Sequence, residues 1–133
     1  MSGLVLKLGP GERVLINGAV IQNGERRSRM SVLSPNANIL RLRDAIHPDD
    51  VDTPVKRVCY VAQLVLAGDA APEDGARQML LGIEQLSQVF RDQDSRDLLA
   101  QATQWVRDEN VYKALRSLRC LLARETRLLA NTG

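Results

Sequence analysis

The stretch Arg13-Val14-Leu15-Ile16-Asn17-Gly18-Ala19-Val20-Ile21-Gln22-Asn23-Gly24 decides how the first third of the chain is read. Two short aliphatic runs flank Asn17-Gly18, the dipeptide that a tight type I′ hairpin prefers because both of its central residues need positive φ. Asn23-Gly24 repeats the turn signal. Working outward, Leu4, Leu6 and Leu8 alternate with Val5 and Lys7 before a reversal at Gly9-Pro10-Gly11. Ser28 to Leu33 and Asn38 to Leu42 read as two further strands, separated by Ser34-Pro35-Asn36. The expectation is a five-stranded antiparallel β meander. So few short strands cannot make a self-sufficient sandwich, so one face must be covered by the rest of the chain.

That remainder has a helical period. Thr53-Pro54 sets an N-cap before a proline at the first helical position, and Val55, Val58, Cys59, Ala62, Val65 and Leu66 recur at helical spacing up to Gly68. A second helix starts near Pro72, with Glu73 and Asp74 at the positive end of its dipole and Ala76, Met79, Leu80, Ile83, Leu86 and Phe90 on its apolar face. Asp94 and Asp97 open a third, which carries Leu98, Leu99, Ala102, Trp105 and Val106. Asn110 caps a fourth that runs through Leu115, Leu118, Leu121, Leu122, Leu128 and Leu129 to about Ala130. The fold class is therefore α+β, with a β-rich unit over residues 1–50 and a four-helix region over 51–133 for folding or oligomerisation and partner binding.

The 133 residues, 44% hydrophobic and 26% charged, suit one ordinary globular domain that needs no disulfide or metal staple. The longest nearly apolar run, Val58 to Ala67, is interrupted by Gln63 and falls far short of the roughly 20 residues a membrane helix requires. Lys7 breaks what would have to be the apolar core of a signal peptide. A cytoplasmic protein with no membrane association is expected. Cys59 and Cys120 lie far apart without a CxxC pair, and His47 is the one histidine, so a zinc site is disfavoured and both thiols read as small core residues.

Catalytic signatures are weak. Gly9-Pro10-Gly11-Glu12 lacks the Gly-Lys-Ser/Thr ending of a phosphate-binding loop and reads as a turn. His47 precedes Pro48-Asp49-Asp50, a set of capping groups more than a general base. Asp49, Asp50 and Asp52 have neither the glycine nor the terminal glutamate of a calcium loop. The reading is a non-enzyme without cofactor or metal.

Charge is the more informative signal. Net charge is only +2, yet residues 13 to 43 hold six arginines against Glu25 alone, a local balance of +5 that favours polyanions. A solvated surface in an arginine-rich chain explains the same count, since 15 of the 18 basic residues are Arg. Alternation sharpens it. With Met30, Val32, Leu40 and Leu42 inward, Arg29, Arg41 and Arg43 face out, and a hairpin joining their strands would gather them beside Arg26 and Arg27. Arginine's planar fork suits phosphate or the guanine edge, so these five are the candidate RNA-binding residues. No Phe, Tyr or Trp occurs in the first 59 residues, which disfavours a module that stacks bases on aromatic rings.

Four blocks carry a family likeness: Leu4-Val5-Leu6-Lys7-Leu8-Gly9-Pro10-Gly11-Glu12, Asn17-Gly18-Ala19-Val20-Ile21-Gln22-Asn23-Gly24-Glu25-Arg26-Arg27, Asn38-Ile39-Leu40-Arg41-Leu42-Arg43-Asp44 and Asp52-Thr53-Pro54-Val55-Lys56-Arg57. In these the sequence resembles the FlbT family of flagellum biosynthesis repressors. The likeness implies a post-transcriptional regulator that associates with the 5′ untranslated region of flagellin mRNA, limits translation and promotes decay, the cut being made by a host ribonuclease. It also implies a counterpart, the flagellar activator FlaF. It carries over no RNA-contact residue, so the five arginines rest on charge and alternation alone. Two mechanisms stay open. Either the β unit binds leader RNA while the helices fold or dimerise it, or the helices form a groove for flagellin or another flagellar protein and act on mRNA indirectly.

Overall fold

A computed structural model describes residues 4–131. The chain is mixed α and β: strands β1 (Leu4–Leu8), β2 (Arg13–Ile16), β3 (Ala19–Gln22), β4 (Ser28–Val32) and β5 (Ile39–Arg41), then helices α1 (Pro54–Ala67), α2 (Pro72–Ser87), α3 (Gln93–Arg107), α4 (Val111–Arg119) and α5 (Leu122–Asn131). The Asn17-Gly18 hairpin forms as expected, with both residues at positive φ and Ile16 opposite Ala19.

The meander does not form. β1 pairs with β4 in a two-stranded sheet, while β3, β2 and β5 make a separate three-stranded one. The Gly9-Pro10-Gly11 turn carries the chain from one sheet to the other, and Asn23-Gly24 carries it back. The reason lies in what each face buries. Val14 and Ile16 of β2 and Ile39 of β5 pack with Leu6 and Leu8 of β1 and with Met30 and Val32 of β4 in one small core. Leu15 and Leu40, opposite each other on the other face, join the helical core. The three-stranded sheet is thus a middle layer, covered by helices on one side and by β1 and β4 on the other.

The helices follow their local signals closely. Thr53 accepts from the Lys56 amide at 3.3 Å, Gly68 closes α1 at φ 85°, and the buried face of α1 is the six residues its spacing predicts. Asn110 caps α4 as expected. α3 begins slightly early, capped by Asp92, whose carboxyl is held below the usual range by hydrogen bonds from Ser95.

Two expectations need correction. The fourth helix is two, because the chain turns at Cys120-Leu121. No proline or glycine marks the break. After it, the buried Glu125 meets the start of α1, where its carboxylate accepts from the Thr53 hydroxyl and, at 2.9 Å, from the Val55 amide. Cys59 is buried, and burial pushes its thiol up to about 12, but Cys120 is exposed on the turn and is no core residue.

α1 and α2 pack unusually close. A Cβ at Gly75 would lie 2.2 Å from Val65 Cγ2, and one at Gly82 2.4 Å from Val58 Cγ2, so only glycine fits at both crossings. None of the described helices is long and apolar enough to cross a membrane.

Candidate nucleic-acid interface

The candidate arginines approach one another by a different route from the one alternation suggested. β4 and β5 are not neighbours, so no hairpin joins them. Instead, β4 lies against β1, which sets Arg29 directly opposite Lys7. Both point away from Leu6 and Leu8, and both are exposed. Lys7, Arg27, Arg29, Arg41 and Arg43 then line one open groove of about 680 Å³, together with Leu8, Gly9, Pro10 and Ser28. Among the described residues no carboxylate lines it. Arg26 is exposed on the preceding turn and stands outside the groove.

Asn23 builds this end of the molecule. Its side-chain amide donates to the carbonyls of Gly9 at 2.7 Å and Arg26 at 2.9 Å, and its oxygen accepts from the Ser28 hydroxyl at 2.7 Å. The turn that carries Arg26 and Arg27 is thereby pinned to the end of β1. This use of Asn23 replaces the tight hairpin its sequence suggested.

Arg41 has another task. It shares a face with Ile39 and Val14, the side covered by β1, so its side chain is only 13% exposed. Its Nε donates to Glu12 Oε2 at 2.7 Å, and its terminal nitrogen donates to Glu12 Oε1 at 2.8 Å and to the Lys7 carbonyl at 2.5 Å. Glu12 also accepts from the Gly9 amide at 3.0 Å. The Arg41 bonds lead in holding the Glu12 carboxyl down to about 2, and Arg41 is raised in return. The outward reading of Arg41 is therefore corrected: β5 is covered on both faces, and in–out alternation fails on a strand with two buried faces. Leu42, expected inward, starts a 3₁₀ turn and is exposed.

The remaining cations differ in their freedom. Arg43 lies 3.6 Å from Glu12 and 3.8 Å from Asp44, with its side chain 59% exposed. Lys7, Arg27 and Arg29 make no ion pair among the described residues. Two cations facing each other across a strand pair repel, which destabilises the pair modestly. Sequence reasoning passed over Lys7, although its place between Leu6 and Leu8 marks it as outward. Glu12 was passed over too, because its partner is 29 residues away.

A second groove continues from the first along the free edge of β1. Lys7, Arg41 and Arg43 line both, and α4 closes the second with Tyr112, Leu115, Arg116 and Arg119. Arg119 holds Asp44 at 3.0 Å. Arg116 is exposed, with its guanidinium 5.9 Å from the centre of the Tyr112 ring. No group of three or more metal-ligating side chains gathers among the described residues.

Fold and groove together define a small α+β protein with a helical scaffold and a β unit that presents unneutralised cations. The family described as flagellar protein FlbT matches residues 4–129, and the chain belongs to that family. Relatives include a flagellum biosynthesis repressor protein FlbT of Caulobacter vibrioides, 30% identical over 98% of this chain and 92% of its own length. Proteins named as probable members occur in Caulobacter sp. strain K31, 30% identical over 98% of both chains, and in Brucella abortus, 27% identical over 93% of this chain and 80% of its own length. No solved structure matches.

Proposed function

We propose that the chain represses flagellin synthesis after transcription, by holding the 5′ untranslated region of flagellin mRNA in the groove around Lys7, Arg27, Arg29 and Arg43. The observation that carries this is the cross-strand pair of Lys7 and Arg29, like charges with no carboxylate between them, flanked by Arg27 and Arg43 on the same groove. A polyanion relieves that repulsion and gains from every released counterion. Membership of a family whose curated relatives are named repressors of flagellum biosynthesis supports the biological direction. The protein's part is binding alone, and a host ribonuclease completes the decay. Arg41 holds the groove's shape through Glu12 and does not contact RNA.

The test is titration of the full chain with the flagellin leader at several salt concentrations, beside Arg27→Gln/Arg29→Gln. For single-stranded leader the double variant should flatten the slope of log K against log salt by about 1.4, or 0.7 per lost phosphate contact. Unchanged affinity and slope in a folded double variant would overturn the reading. A parallel titration with purified flagellin separates the alternative mechanism: tight flagellin binding with no leader binding moves the function to the helices.

A further inference from the structure

We propose that the ligand of this surface is the phosphate backbone of a double-stranded RNA stem, straddled by Lys7, Arg27, Arg29 and Arg43 on one side and by Arg116 on the other. The inference rests on the RNA reading above and narrows it to one class of RNA. Three observations carry it.

The first is breadth. The cations do not follow one another along a single strand edge. They lie on β1, on β4 and the turn before it, just after β5, and on α4, and the two grooves they line meet along Lys7, Arg41 and Arg43. A single strand is tracked by a file of cations, whereas a duplex presents two rows of phosphate across a wide, shallow minor groove.

The second is the lack of a stacking platform. Grip on unpaired bases comes largely from aromatic faces. The first groove is lined by no aromatic side chain, and in the second the one ring is Tyr112, over which Arg116 already lies. A duplex, whose bases stack on each other, needs no such platform.

The third is how narrow the base-reading repertoire of the first groove is: arginine can meet a guanine edge, but the side chains that pair with adenine or cytosine are missing among the described residues that line it. Apart from its cations its lining is Leu8, Gly9, Pro10 and Ser28, with no Asn, Gln, Asp or Glu to pair with a base edge. The chemistry present is charge, placed on a paired strand ladder, and it reads shape and phosphate position more than sequence.

The experiment uses the full chain and three probes of equal phosphate number: a self-complementary RNA hairpin, an unstructured oligouridylate, and a DNA hairpin of matching sequence. The RNA hairpin should bind about tenfold or more tightly than the oligouridylate. Arg116→Gln, an exposed change, should weaken hairpin binding severalfold and reduce the salt slope by about 0.9, the duplex value for one phosphate contact. The thermal transition of the variant, unchanged, would show that the loss is not unfolding. Equal or tighter binding of the oligouridylate overturns the inference while leaving the RNA reading intact. Equal binding of the DNA hairpin overturns its RNA-specific part. Binding of none of the three removes both.

Discussion

The helical half and the β half of this protein treat charge in opposite ways. Among the helices, polar groups that are buried have partners inside the fold: Glu125 caps α1 through Thr53 and Val55, and Arg124 binds Ser95 at 2.9 Å and Asp92 at 3.2 Å where α3 begins. The nine basic residues from 61 onward stand among ten acidic ones. The β half instead pairs Arg41 tightly with Glu12, holds the more exposed Arg43 loosely beside Glu12 and Asp44, and leaves Lys7, Arg26, Arg27 and Arg29 without an ion pair among the described residues. The difference teaches where each job is done. The helices and the middle sheet supply stability, and the outer strand pair carries an electrostatic cost that, in the function proposed above, a polyanion removes.

The helical half should therefore break under small changes of volume. Gly82→Ala drives a methyl into Val58, whose branched side chain has little rotamer freedom in a helix, and is expected to cost about 2–3 kcal/mol in urea unfolding. Val58→Ala in the same chain should recover part of that loss, a positive coupling that independent sites would not show. Next in size is Glu125→Ala, which strands the Val55 amide and the Thr53 hydroxyl and should cost about 2 kcal/mol. Neither variant should alter RNA affinity in the fraction that remains folded.

Glu12→Gln sharpens the comparison from the β side. The Glu12 carboxyl titrates near 2 in the folded chain against the usual 4.5, so its contribution is complete above 4.5 and is lost as pH falls toward 2. The variant should be less stable than the parent by about 1–2 kcal/mol at neutral pH, with the gap closing below pH 4.5. With glutamine keeping a hydrogen bond to Arg41, the loss of this charge should also tighten RNA binding modestly, since Arg43, which lines the groove, loses the carboxylate 3.6 Å away. A gap that persists at pH 2 would mean that Glu12 acts through packing and not through its charge.

Much of the fold is legible in the sequence because its signals are local. Thr53-Pro54 and Gly68 bound α1, and Asn17-Gly18 fixes the β2–β3 register, each within a few residues. What the sequence hides is long-range. Nothing near Leu6 says that its neighbour is Met30 and not a residue of β2, and both pairings satisfy the same alternation. Arg41 is misread for the same reason, because the rule that polar alternates outward assumes a strand with one wet face. The charge cluster between 13 and 43 is visible from composition, but Lys7 and Arg116 join its surface only through tertiary structure. The turn between α4 and α5 has no local signal at all; what it accomplishes is to bring Glu125 to a helix start 70 residues away in sequence.

The smallest expected stability effect is the most telling about function. Arg29→Glu places a carboxylate opposite Lys7, turning a repelling cross-strand pair into an attracting one on an exposed face. Such pairs are worth about 0.2–1 kcal/mol, so the variant should be slightly more stable than the parent, the reverse of what most substitutions do. The same change removes one cation from the groove and adds an anion beside three others, so RNA affinity should fall by well over tenfold and the salt slope should flatten. An alanine at the same position should weaken binding less and gain less stability, because it ends the repulsion without adding an attraction. Opposite signs for folding and binding, in one side chain, are what a site kept for a polyanion predicts. If Arg29→Glu instead destabilises the fold, or leaves leader binding untouched, then Arg29 is an ordinary surface residue, and the contrast between the two halves of the molecule is one of composition and not of function.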